Sequence, residues 1–85
     1  MDNNEAILTR LNRIEGQIRG IARMIEDRRD CPAVLQQMAA ARSAIYNAAL
    51  LYIENNMTEV LEGENNNLEE KKKEISKYLK YLSKL

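Results

Sequence analysis

The chain has 85 residues, 45% apolar and 31% charged, with one proline, three glycines and neither tryptophan nor phenylalanine. That length makes one small domain, near the size at which a lone core is thin and association with other chains helps, and the composition argues against a β-sandwich or barrel. Basic and acidic residues cancel, so net charge decides nothing about nucleic acid, whereas the lack of histidine removes imidazole catalysis and any histidine-based metal site.

The N-terminus, Met1-Asp2-Asn3-Asn4, is polar and acidic, so no signal peptide is expected. Apolar stretches are broken well short of a membrane span, and a single cysteine suits the cytoplasm. From there the spacing predicts a first helix over about 4–28, with Ile7, Leu11, Ile14, Ile18, Ile21 and Ile25 in a repeating four-three pattern. Glu15, Arg19 and Arg23 follow one another at four-residue steps on its charged side. Gly16 and Gly20 lie one turn apart and each weakens the helix by about 1 kcal/mol relative to alanine. Either another backbone or a ligand approaches them closely, or they are tolerated exposed glycines.

Arg28-Arg29-Asp30-Cys31-Pro32 leads into the second helix. Proline is favoured at the first helical position, which would make Cys31 the N-cap. A thiol there faces unpaired N–H groups and the positive end of the helix dipole, an environment that favours the thiolate. The other reading is a small buried apolar residue. The second helix runs over about 32–62 without an interior breaker, a rod of roughly 45 Å. Val34, Met38, Ala41, Ile45, Ala48 and Tyr52 form one apolar stripe, and Leu35, Ala49, Ile53, Met57 and Val60 lie near another. A helix apolar on several faces must be covered on several faces. One partner helix and a short third cannot do that, so this is the central helix of an oligomer.

Gly63 suits a C-cap, Glu64-Asn65-Asn66-Asn67 reads as a polar turn, and Asn67 should cap a third helix over about 67–85. Its apolar positions are Leu68, Ile75, Leu79, Leu82 and Leu85. No repeat or linker interrupts residues 1–85, so a single all-α domain of three helices is expected. All seven arginines fall between Arg10 and Arg42 and all six lysines between Lys71 and Lys84. Arginine suits bidentate recognition of phosphate, whereas lysine is a solvated point charge. No glycine-rich phosphate loop, paired cysteine motif or zinc-protease motif occurs, and Ser43 and Thr9 have no base to activate them. The chain does not read as an enzyme.

Leu11-Asn12-Arg13-Ile14-Glu15-Gly16-Gln17-Ile18-Arg19-Gly20-Ile21, then Met24-Ile25-Glu26, Asp30-Cys31 and Val34-Leu35-Gln36-Gln37, strongly resembles the CsoR/RcnR family of bacterial transcriptional repressors. The resemblance runs from about Leu8 to Leu61. It implies a three-helix protomer, an antiparallel four-helix-bundle dimer and a dimer-of-dimers tetramer. It also implies binding of double-stranded operator DNA through basic residues, here Arg10 and Arg13 and then Arg19 and Arg42. The alternative for those arginines is pairing with Glu5, Glu15 and Glu26 on solvated faces. The family's inducers are copper, nickel or cobalt, formaldehyde, or reactive sulfur. Its sensing cysteine matches Cys31, and its next two ligand positions fall on Asn56 and Val60. A neutral amide is a poor ligand for Cu(I) and valine is none, so no cofactor or metal is expected at that triad. Without a second cysteine at Val60, a sulfur bridge to Cys31 cannot form either.

What the resemblance leaves is Cys31 as sensor of formaldehyde or another electrophile. Gln36-Gln37 and Ala39-Ala40-Ala41-Arg42 also look closest to the formaldehyde-sensing branch. That branch uses a proline amine at the mature N-terminus, whereas here Asp2 follows Met1 and keeps the methionine in place. Two alternatives stay open: a helical interaction protein that has lost sensing, and a residual Cu(I) sensor holding metal between Cys31 thiolates of two chains.

Overall fold

A computed structural model describes residues 4–64 and 66–85. Met1, Asp2, Asn3 and Asn65 lie outside the described residues, and with them the expectations about the N-terminus and part of the Glu64–Asn67 turn. The described residues form three helices and no strand: α1 (Asn4–Glu26), α2 (Cys31–Glu62) and α3 (Leu68–Leu82). The all-α, three-helix class holds. By compactness the chain divides into two units, Met1–Ala48 and Ala49–Leu85.

In the first unit the apolar stripe of α1 is split. Ile7, Ile14 and Ile21 are buried at seven-residue intervals, while the alternating Leu11, Ile18 and Ile25 stay 43%, 52% and 54% exposed. The first part of α2 repeats this: Val34, Ala41 and Ala48 are buried, and Met38 and Ile45 between them are exposed. Ile21, Val34 and Ala41 form one cluster with Met24 packed against it. Half of each seam thus closes the α1–α2 hairpin. The other half faces water.

Helix α1 ends two residues before the predicted limit, for a backbone reason. Arg28 N–H donates to the Ile25 carbonyl at 3.1 Å and Arg29 N–H to the Met24 carbonyl at 2.9 Å, while Arg28 adopts φ 56°. This pair of bonds is the Schellman closure, whose left-handed residue is usually glycine. An arginine here accepts a Cβ clash that glycine would not have.

Helix α2 begins one residue earlier than its proline suggests. Asp30, not Cys31, is the N-cap: its Oδ2 accepts from Ala33 N–H at 3.3 Å, and its carbonyl accepts from Val34 N–H at 3.2 Å. A carboxylate is a far better acceptor for these orphan donors than a thiol. Pro32 is tolerated one place further in, because the whole first turn lacks intrahelical N–H partners.

In the second unit Asn67 caps α3 as expected, its Oδ1 accepting from Glu69 and Glu70 N–H at 3.1 and 3.3 Å. The helix stops at Leu82, where Ser83 Oγ donates to the Lys80 carbonyl at 2.6 Å. Gly63 follows α2 without a positive φ, so it is not the left-handed cap its composition suggests. A Cβ there would stand 3.2 Å from the Glu59 carbonyl oxygen, a tight contact that the glycine avoids. Lys71 Nζ donates to the Leu61 carbonyl at 3.1 Å, satisfying one of the open acceptors at the end of α2. Of the expected apolar face of α3, Ile75 and Leu82 are half-buried, while Leu68, Leu79 and Leu85 are exposed.

Candidate functional site

Cys31 is a free, exposed thiol in the first turn of α2, preceded by Arg28, Arg29 and the capping Asp30. Exposure overturns its reading as a small buried apolar residue. Because Asp30 takes the capping bond, the thiol does not receive the N-cap contacts that the sequence suggested for it. What the position offers is access. An exposed thiol on a fixed helical turn can be alkylated or ligated without unfolding anything.

Asn56 and Val60 lie in the last turns of α2, 25 and 29 residues after Cys31 in the sequence. Asn56 is half-buried, and its Nδ2 donates to the Tyr52 carbonyl one turn earlier at 2.8 Å. Val60 lines a surface depression with Glu59, Gly63, Glu70, Lys71, Glu74 and Tyr78. The Tyr78 hydroxyl is held above its ordinary 10.0, first by partial burial, then by the charge and hydrogen bond of Glu74, and then by Glu59 and Tyr52. Among the described residues no group of three or more His, Cys, Asp or Glu is placed to hold a metal ion. One thiol, one amide already bonded to backbone and one isopropyl group do not fit a soft metal.

The arginines divide by partner. Arg10 and Arg13 are exposed on α1 and meet no carboxylate among the described residues. Arg19 approaches Glu15 at 3.9 Å with both side chains 68% exposed, an ion pair too wet to immobilise either. Arg42 is exposed on α2 and is already engaged. By the helical period Arg13, Gly16, Gly20 and Arg23 lie on the side of α1 away from Ile7, Ile14 and Ile21. Arg23 was not among the expected anion-binding residues, although its four-residue step from Arg19 was visible. A Cβ on Gly16 or Gly20 would meet nothing within 4 Å, so no neighbour within this chain requires either glycine.

Residues 3–84 match the family of metal-sensitive transcriptional repressors. The chain is 47% identical over 49 residues to the copper-sensing transcriptional repressor RicR of Mycobacterium tuberculosis, covering 58% of this chain and 51% of that protein. It is 46% identical over 50 residues to the copper-sensing transcriptional repressor CsoR of Bacillus subtilis, covering 59% and 50%. These matches span about half the length of the curated relatives. Among solved structures, the nickel-responsive transcriptional regulator InrS superimposes with a TM-score of 0.84 at 35% identity, covering 92% of this chain and 90% of that one.

Proposed function

The chain belongs to the family of metal-sensitive transcriptional repressors, a family of regulators rather than enzymes, and from that premise we propose that it is itself an oligomeric repressor of operator DNA. The observation that carries this reading is the pairing of two exposures on α1. Its alternating Leu11, Ile18 and Ile25 await a second copy, and its Arg10 and Arg13 await an anion. Repetition of each arginine by association gives a neutral protomer a positive surface suited to phosphate. Arg19 and Arg42 add to it as secondary contacts. The assembly proposed is an antiparallel four-helix-bundle dimer paired into a tetramer, acting as one domain over residues 1–85 in the cytoplasm. Among the described residues no helix is long and apolar enough to cross a membrane.

The inducer proposed is an electrophile of the formaldehyde class acting at Cys31. The thiolate adds to the aldehyde carbon, a C–S bond forms, and the carbonyl oxygen takes up a proton to give a hydroxymethyl thioether. Access to the thiol supports this, as does the poor fit of Asn56 and Val60 to the copper or nickel named for the relatives. A tenfold loss of DNA affinity needs about 1.4 kcal/mol of difference between the modified and unmodified states.

A gel-shift titration against the DNA upstream of its own gene tests the reading. Wild type should bind, Arg10→Ala should bind more weakly with a shallower salt dependence, and formaldehyde should release wild type but not Cys31→Ala. Release of Cys31→Ala by formaldehyde sinks the inducer assignment. Absence of binding at every salt concentration sinks the repressor and favours the second reading, a helical interaction protein that has lost sensing. The amide and isopropyl groups at Asn56 and Val60 give that reading its weight. Stoichiometric Cu(I) uptake that disappears in Cys31→Ala would favour a residual copper sensor.

A further inference from the structure

Helix α3 segregates its charges. Glu59, Glu64, Glu70 and Glu74 line the depression beside Val60 and Tyr78, with Lys71 as the cation among them. A separate surface depression on α3 is lined by Glu69, Lys72, Lys73, Ser76, Lys77 and Lys80. Four ammonium groups and a hydroxyl donor thus share one face with a single carboxylate. Lys77 approaches Glu74 at 3.7 Å, an exposed pair. Lys72, Lys73 and Lys80 meet no acceptor among the described residues. Like charges one turn apart, such as Lys73 and Lys77, disfavour a solvated helix. A protein of zero net charge could have interspersed them. Their concentration gives this face an excess of positive charge, which suits contact with a polyanion.

We propose that the lysine face of α3 is a second phosphate-contacting surface, separate from the arginines of α1, that adds sequence-independent affinity for the DNA backbone. This rests on the repressor reading and deepens it. Lysines act as mobile point charges on phosphate and carry no base information. The lining of this face is five charged groups and a serine, point charges suited to the closely spaced phosphates of a duplex.

The test compares the full chain with a Lys72→Gln/Lys73→Gln/Lys80→Gln variant and a Lys72→Arg/Lys73→Arg/Lys80→Arg variant. Glutamine keeps helix propensity at exposed positions, and circular dichroism checks that the helices persist. Affinity for operator and for unrelated duplex is measured across a salt series. The glutamine variant should lose affinity for both duplexes by the same factor. Its log–log salt slope should flatten by about 0.9 for each phosphate contact removed, up to about 2.7 for each chain whose three lysines reach the DNA. The arginine variant should match wild type. An unchanged slope and affinity in the glutamine variant, with wild type still binding, overturns this proposal and leaves the repressor standing. No wild-type binding to either duplex removes both. Lysine-dependent binding to mixed phosphatidylcholine and phosphatidylserine vesicles, with the DNA slope unchanged, assigns the face to a membrane and likewise overturns it.

Discussion

Arg28 holds a left-handed backbone that glycine adopts without a Cβ clash, so Arg28→Gly should raise stability by about 1 kcal/mol in urea unfolding. Asp30→Ala removes the acceptor of the Ala33 N–H and should cost about 1 kcal/mol by the same measurement. Cys31→Ala, exposed and outside the cap, should leave stability nearly unchanged. The order Asp30→Ala, Cys31→Ala, Arg28→Gly along a stability axis is thus the signature of the observed cap. If Cys31→Ala were the more damaging of the first two, the cap assignment would be wrong. The sequence signalled a helix start in this stretch, but Asp30 and Cys31 both precede a proline that any first-turn position tolerates. Only the hydrogen bonds separate them.

At the scale of the element, spacing identified the stripe of α1 but not how many partners it serves. Ile7, Ile14 and Ile21 are equivalent in sequence to Leu11, Ile18 and Ile25, yet only the first three are buried within the chain. Periodicity reports a direction, and burial depends on what lies in that direction. Ile14→Ala should therefore cost about 2–5 kcal/mol at any protein concentration. Ile18→Ala should cost stability only at concentrations where copies associate, read as a concentration-dependent Tm. In α3 the pattern of Glu69, Glu70 and the following lysines gave the cap and the helix. That Lys72, Lys73, Lys77 and Lys80 line one depression is seen in the structure rather than in the order of charges along the sequence. On the acidic side, Glu74→Gln should lower the ionisation of Tyr78 toward its ordinary 10.0, followed by tyrosinate absorbance. The sign follows from the fold favouring the neutral phenol. That contribution is complete below pH 10 and is lost as pH rises through the elevated value.

For the whole molecule, the fold class and the position of the thiol were legible because helical periodicity and the motif around Leu11–Ile21 are local signals. Any relation of Cys31 to Asn56 and Val60 is not a local signal, since 25 and 29 residues of sequence separate them from it. In the proposed repressor copies of the chain meet, and the exposed Leu11, Ile18, Ile25, Met38 and Ile45 are the surface available for that contact. Apolar burial favours such contact by about 25 cal/mol per Å². Substituting Ile18→Glu should scatter the assembly and abolish DNA binding without touching an arginine, measured by gel shift alongside circular dichroism.

Sedimentation equilibrium of the unmodified chain at micromolar concentration tests this association most directly. A mass that is a multiple of the 9.8 kDa protomer, with no single-chain species, is the expected result. A stable species of 9.8 kDa would contradict it.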